Sequence, residues 1–437
     1  MNIARGLFGI ITICLVVWAI SEDRKGVRLK PVLTGLLFQI ATAFLVLKIS
    51  VIRSFFLFLN EAVMVLEKST LAGTSLVFGY LGGGKLPFDE KIPGGSFILA
   101  FQSLPMVLVI SAVSALLFYF RVLPYMVRGF SFVLQKVMKV GGAVGLCASA
   151  TVFVGMVEAP LFIKPYLKNL SRGEIFAVMS VGMATIAGTV MVLYASLLSR
   201  VLPDALAHIL LHSVISAPAA LVCSMLMVPP TGRIETGEIL PPHIYKSPLD
   251  AIVRGTADGI ELLINIIAML IVFVALVSLV NYGLATLPYF YGTPVTLQRI
   301  MGVIMAPVVW AIGIPWTEAQ AAGALMGTKT ILNEFVAYID LANLPKGVLS
   351  QRSTIIMLYA MCGFANPGSL GILIAGLGTM APEKKEEKRI LDVNPAPLWG
   401  WTMKNIRTCC NLNMAIFCLD KRVHYRTGLF ELCFKKT

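Results

Sequence analysis

Two carboxylates stand where a carboxylate is expensive. Glu158 lies within the apolar stretch 141–168 and Glu334 within the apolar stretch 312–343. On insertion scales a charge at the centre of a membrane helix costs about 2.5–3.5 kcal/mol. An ionised carboxylate only accepts hydrogen bonds, and its charge-assisted bonds are the stronger kind. Either group could therefore hold a hydroxyl, an NH group, a cation or a proton. A plainer reading stands beside each. Glu158 could pair with Lys164 near a hairpin base, and Glu334 with Lys329 five residues before it. Glu158-Ala159-Pro160 favours function at the first site, because that triplet is expected to stop a helix beside the carboxylate.

Other polar groups interrupt apolar runs. Asn366-Pro367-Gly368-Ser369 sits inside the run 359–377. Proline removes a donor, and the residue before it avoids the α region. Freed carbonyls, the Asn366 amide and the Ser369 hydroxyl then make a polar patch, or else a packing kink. Thr185 and Thr189 flank Ala187-Gly188 in another run, where helix packing by small residues is the blander account. Three apparent motifs carry little. Gly79-x4-Gly84-Lys85 begins like a phosphate loop, but Leu86 stands where a magnesium-binding Ser or Thr belongs. His208 and His212 share a helix face, and no third ligand makes them a metal site. Asp258 and Glu261 are expected to begin a span at its cytoplasmic end.

The elements that must position these residues are membrane helices. The chain has 437 residues, 57% hydrophobic and 14% charged, with mean hydropathy +0.83. An ordinary soluble domain is about 45–50% apolar and about 25% charged. Soluble enzymes, disordered chains and nucleic-acid binders are set aside. The formal net charge of +13 reads as topology, because Lys and Arg collect in cytoplasmic loops. Cys14, Cys147, Cys223 and Cys362 lie in apolar runs as small packing groups. Cys409, Cys410, Cys418 and Cys433 crowd the end of the chain. No cysteine spacing fits a metal.

Spans of about 20 apolar residues are expected at 4–20, 31–49, 97–120, 174–199, 204–228, 262–287 and 354–379. The first is read as a retained helix, since it lacks a small-x-small cleavage site. Arg24, Lys25, Arg28 and Lys30 place the first loop inside and the N-terminus outside. Alternation then puts 121–140, 229–254 and 383–389 inside. Residues 51–70 mix apolar residues with Glu61 and Glu67, which fits a helix lying on the membrane surface. Segments 141–168 and 312–343 are apolar but broken by Gly, Pro and a carboxylate. Each is followed by a span broken in its middle, at 184–189 and at 366–369. Interrupted segments in paired, inverted halves point to a secondary transporter with its site at the midplane. The expected fold class is an all-α polytopic membrane protein, an inverted-repeat transporter with two re-entrant hairpins and broken helices.

At these residues the sequence resembles the concentrative nucleoside transporter family, from about residue 4 to residue 382. The resemblance rests on Gly155–Pro160 with Lys164-Pro165-Tyr166, on Gly327-Thr328-Lys329 followed by Asn333-Glu334-Phe335-Val336-Ala337-Tyr338, and on Phe364-Ala365-Asn366 with Ser369. It implies a homotrimer in the plasma (bacterial inner) membrane, carrying nucleosides on a sodium or proton gradient, with no other cofactor. It implies N-terminal scaffold helices with an interfacial helix over 1–120, then the first half of a transport domain over 121–228. A loop and scaffold helix would follow over 229–295, and the second half of the transport domain over 296–382. Glu158 would meet the base, with Met156 and Val157 beside it at the hairpin tip. Glu334, Asn366 and Ser369 would hold ribose hydroxyls, and Phe364 and Val190 would pack on the nucleoside. Sodium would sit near Thr151, Val154, Thr185 and Ile186.

The sequence departs from the family pattern in several places. Met156 and Val157 replace the usual Gln and Thr, removing two groups that would hydrogen-bond the base. Thr151 replaces the usual Asn of the ion site, where oxygen ligands remain and sodium stays ahead of a proton. Pro367 stands where an aromatic residue is usual. Residues 383–437 form an atypical polar tail in place of an expected last span, which makes a defective or non-transporting member an alternative. An intramembrane acid/base enzyme using both glutamates is the remaining alternative, and no nucleophile–base spacing supports it.

Overall fold

The computed structural model describes residues 2–48, 50–89, 96–199, 201–202, 204–230, 245–288 and 294–380. Every regular element among them is helical. The first apolar runs form α1 (Asn2–Ala19), α2 (Leu29–Lys48) and α3 (Ser50–Phe78). After them come α4 (Leu99–Gln102), α5 (Met106–Tyr119) and the amphipathic α6 (Val122–Met138). Helix α3 runs on well past the expected 51–70. The Gly79–Gly84 motif is a 3-10 turn closing α3, with Gly84 N–H donating to Gly79 O at 3.0 Å. That is not the strand-to-helix loop a phosphate site needs.

Both interrupted segments are broken in the structure. The first comprises α7 (Gly142–Ala150) and the single turn α8 (Glu158–Leu161), separated by 151–157. The second comprises α14 (Trp316–Ile331) and α15 (Glu334–Asn343), separated by Leu332 and Asn333. Here one expectation is corrected. Glu158-Ala159-Pro160 does not stop a helix but opens one. Proline is tolerated in a first turn, where its missing N–H has no intrahelical partner to lose.

Both following spans break, the first inside the expected 184–189 and the second ahead of the expected 366–369. Ser171 caps α9 (Arg172–Ala184) in a reciprocal box with Glu174, and α10 resumes at Gly188–Leu198. Similarly α16 (Gln351–Met361) gives way to α17 (Pro367–Met380). Its break lies at 362–366, and Pro367–Ser369 form the first turn of α17 rather than the gap. Between these halves run α11 (Ala205–Met227), α12 (Pro248–Leu284) and α13 (Leu297–Ala311). Helix α13 meets α14 at a bend of 117°. The two approach closely where the Gly323 backbone lies against Gly302 O, with no room for a Cβ at Gly323.

Three helical stretches among the described residues are long and apolar enough to cross a bilayer: Leu99–Tyr119 (α4 with α5), Ala205–Met227 and Pro248–Leu284. They differ in what surrounds them. The apolar stretch of α11 is 83% buried, as suits a helix apolar all round inside a bundle. For α12 only 6% is buried, so Ile264, Ile271, Val274 and Leu279 face outward. Helix α12 also starts 14 residues before its expected beginning. Ser247 caps it by accepting from Asp250 N–H at 3.1 Å, and Asp250 pairs with Arg254 at 2.8 Å. Asp258 and Glu261 therefore lie within the helix, not at its start. The tail 383–437 falls outside the described residues.

Candidate functional site

Glu334 is the first residue of α15 and is 4% exposed. Asn333 precedes it as the cap, its side-chain oxygen accepting from Val336 N–H at 2.9 Å. This fixes where α15 starts, and so the backbone position of Glu334. Tyr194 on α10 donates its hydroxyl to one carboxylate oxygen at 2.8 Å. Asn366 donates Nδ2–H to the other at 2.9 Å. These bonds join α10, the start of α15 and the cap of α17 at one carboxylate. A helix N-terminus further favours a negative charge there.

The orientation of Asn366 follows from its other end. Its Oδ1 accepts from Ser369 N–H at 2.8 Å, so Asn366 caps α17 and Pro367 fills the first helical position. With Oδ1 so engaged, Nδ2 must face Glu334. Asn366 and Ser369 are both buried, 2% and 8% exposed. Phe364, half-buried, leads into this cap and its carbonyl accepts from Asn366 N–H at 2.9 Å. Lys329 lies within electrostatic reach of Glu334. Its ammonium donates to Ala360 O at 3.4 Å, while the neutral donors take the carboxylate oxygens.

Glu158 is treated differently. Its side chain folds back over Gly155, where any Cβ would collide with the carboxylate. It accepts from the N–H groups of Val157 and of Glu158 itself, and Asp258 on α12 lies within electrostatic reach. Unlike Glu334, it is exposed. Its two neighbours have become packing residues. Met156 is buried against Gly182 of α9, and Val157 lies against Gly376 of α17.

Helix α10 connects the two carboxylate regions. Gly188, its first residue, donates its N–H to Phe153 O at 3.2 Å. A Cβ on Gly188 would stand 2.7 Å from that same oxygen, so only glycine allows the approach. Val190, buried, lies on the next residues, and Tyr194 follows with its bond to Glu334. At 1.5 Å per residue, Gly188 and Tyr194 are separated by about 9 Å along the helix. The first interrupted segment and Glu334 thus flank the opening turns of one short helix.

The expected ion ligands lie in the two stretches that this joint connects, 151–154 and 185–188. The Thr151 hydroxyl donates to Ala148 O at 2.9 Å, and that of Thr185 to Val181 O at 3.0 Å. Each hydroxyl oxygen keeps acceptor capacity. Val154 is half-buried, and Ile186 N–H donates to Ser213 at 3.4 Å. The histidines go to neighbouring side chains. His208 meets Tyr359 at 3.1 Å and His212 meets Ser216 at 2.7 Å.

Tyr194 is the residue that sequence reasoning missed. A signal existed, since a tyrosine within Val190–Leu198 must find a partner for its hydroxyl. Nothing local said which.

Known proteins resemble this chain in sequence and fold. Profiles described as the N-terminus and C-terminus of Na+ dependent nucleoside transporters match residues 8–81 and 208–410. A nucleoside-recognition (Gate) profile matches residues 100–200. The C-terminal match passes residue 382, where the sequence resemblance was expected to end. The nucleoside permease NupC of Helicobacter pylori is 32% identical over 383 residues, covering 86% of this chain and 90% of that protein. Sodium/nucleoside cotransporter 1 of Oryctolagus cuniculus is 32% identical over 87% of this chain and 58% of its own length. The structure of CNTnw in an inward-facing substrate-bound state superposes with TM-score 0.83 at 30% identity, covering 95% of this chain and 98% of that one. With profiles, permeases and a solved transporter all matching across most of its length, the chain belongs to the concentrative nucleoside transporter family, whose members are integral membrane transporters.

Proposed function

We propose that this chain is an ion-coupled nucleoside importer, with sodium favoured over a proton. Residues 121–228 and 296–382 would form a transport domain with two re-entrant hairpins. They would move against scaffold helices in 1–120 and 229–295, exposing the site to each side of the membrane in turn. The observation that carries this reading is the buried Glu334 carboxylate, held by Tyr194 and Asn366, with the first interrupted segment joined to α10 about 9 Å away. That spacing suits a base at one end and a ribose at the other.

Glu334 retains lone pairs beyond its two internal bonds, and these would accept ribose hydroxyls, with Asn366 and Ser369 beside it. Val190 and Phe364 would wall the nucleoside, and Glu158 would meet the base. Thr151 and Thr185 hydroxyls, with carbonyls of Val154 and Ile186, would hold the ion. Similarity to sodium/nucleoside cotransporters supports sodium. The outward apolar face of α12 suits contact with lipid or with neighbouring copies in a homotrimer. The loop charges support an N-terminus outside a plasma or bacterial inner membrane.

Uptake of labelled uridine, adenosine and guanosine into proteoliposomes, with and without sodium and pH gradients, tests the reading. Gradient-driven uptake of at least one nucleoside is expected, with greater stimulation by sodium. No uptake of any nucleoside by folded protein would overturn it. Glu334→Ala and Asn366→Ala should abolish binding, and binding retained in both would remove the ribose assignment.

A further inference from the structure

We propose that the base end of the site selects a purine with two adjacent N–H donors on one edge, the 2-amino-6-oxo pattern of guanosine, over adenosine and the pyrimidine nucleosides. This rests on the nucleoside reading above and on Glu158 meeting the base. It follows from which side chains the first interrupted segment leaves available.

Within Gly155–Ala159, Glu158 is the only residue whose side chain can hydrogen-bond strongly. Met156 is 8% exposed and abuts Gly182, its Cβ 3.4 Å from where a Cβ on that glycine would stand. Val157 Cγ1 is 3.0 Å from the corresponding point on Gly376. Both side chains are therefore spent on packing and offer a base neither donor nor acceptor. Glu158 stays exposed, with its carboxylate oriented by the N–H groups of Val157 and Glu158. Asp258 adds a second negative charge within electrostatic reach. A base edge turned toward this region meets acceptors and negative potential, without side-chain donors from 156 or 157.

The bases differ in how well they suit such a surface. Guanine presents N1–H and the N2 amine side by side, so both carboxylate oxygens can each accept one bond. Hypoxanthine keeps N1–H and lacks the amine. Uracil presents N3–H between two carbonyl oxygens, which point at the carboxylate and are repelled. Adenine and cytosine each place one amine beside a ring nitrogen lone pair, which is repelled in the same way. A carboxylate gives its strongest recognition when bidentate. A site whose polar group is left facing an acceptor discriminates strongly against that ligand. The resulting order is guanosine, then inosine, then adenosine, cytidine and uridine.

The test is titration of the five nucleosides against full-length purified protein in lipid nanodiscs, by calorimetry in sodium-containing buffer. Guanosine is expected to bind at least tenfold more tightly than uridine or adenosine, with inosine between. Glu158→Gln should weaken guanosine at least tenfold and bring guanosine and uridine within threefold of one another, because an amide offers one donor and one acceptor. In the double variant Met156→Gln with Val157→Thr, restored polar groups should tighten uridine and narrow the gap from the other side. Adenosine or uridine binding as tightly as guanosine to the parent protein would overturn this inference while leaving nucleoside binding intact. So would an unchanged guanosine preference in Glu158→Gln. Binding of no nucleoside at all would overturn the functional reading itself, and this inference with it.

Discussion

Replacing Glu334 by glutamine removes a charge and preserves the shape of the side chain. Tyr194 and Asn366 constrain what the amide can do. Asn366 Oδ1 is held by Ser369 N–H at 2.8 Å, so its Nδ2–H still points at residue 334 and demands an acceptor. The glutamine oxygen must take that place. Its NH2 group then faces the Tyr194 oxygen, which now lies 2.8 Å from Glu334 as a donor. A phenol can also accept, so its hydroxyl rotates and the bond survives reversed. The two contacts to residue 334 are therefore kept, while the Tyr194 proton gives up its carboxylate acceptor. In the proposed site, what is lost is the charge toward the ribose. A hydrogen bond to a charged group is worth about 1.5–3 kcal/mol net, against about 0.5–1.5 for a neutral one. Over two ribose hydroxyls the difference is about 2–3 kcal/mol, or about 30- to 160-fold in Kd. Lys329, 1% exposed, also loses a favourable charge, so the melting temperature should fall while the protein stays folded. Calorimetric titration of a nucleoside, beside thermal unfolding of the same sample, reads both. Binding within threefold of the parent would refute the role of the charge. An unfolded or aggregated Glu334→Gln protein would refute the argument that the hydrogen-bond pattern tolerates the amide.

Three further outcomes follow from individual contacts. Tyr194→Phe keeps the ring against Phe335 and Tyr338, at centroid distances of 5.9 and 5.0 Å, and removes only the hydroxyl. It should lower stability by about 1.5–3 kcal/mol, read as a shifted midpoint in equilibrium unfolding in mixed micelles. Gly188→Ala places a Cβ 2.7 Å from Phe153 O and forces the first interrupted segment off α10. Uptake should drop at least tenfold while circular dichroism shows helix content preserved. Gly323→Ala drives a Cβ into Gly302 O, and because that neighbour is backbone it cannot swing aside. A cost of about 1–3 kcal/mol should appear as a lower melting temperature.

What could be read without a structure was what membrane insertion makes expensive. Glu158, Glu334 and Asn366 each interrupt an apolar run, and the cost of such a residue is local, so the sequence displays it directly. The break at 185–187 falls inside the expected 184–189, because small residues and threonine alter a helix where they stand; the second was expected at 366–369 and lies at 362–366, because Pro367 starts α17 instead of interrupting it. The Glu158–Pro160 triplet was misread because proline ends a helix or starts one according to what precedes it. The loop at 151–157 had already broken the chain. The start of α12 was misplaced because its first turns are polar, and apolar periodicity does not see a helix held by Ser247 and an Asp250–Arg254 pair. Tyr194 was invisible for a different reason. Its partner lies 140 residues away, and no spacing encodes a contact made by folding two halves of a chain together.

The two carboxylates, alike in sequence, end in opposite circumstances, and the difference bears on how a carrier can both bind and release. Glu334 is buried and already bonded by two donors from other helices. Its geometry is set before any ligand arrives, so little ordering cost falls on binding. It cannot turn away without breaking those bonds, and it would hold its end of the substrate in much the same way throughout a cycle. Glu158 is exposed, bonded by its own turn, and seated over a glycine that leaves it room. Its turn is tied to the rest of the chain through Val157 against Gly376 and Phe153 against Gly188, contacts that involve packing and one backbone bond rather than a buried charge. A movement of α10 or α17 would disturb the Glu158 end before the Glu334 end. Release would then begin where the ligand is held by an adaptable side chain, and recognition of the sugar would remain while contact with the base is lost.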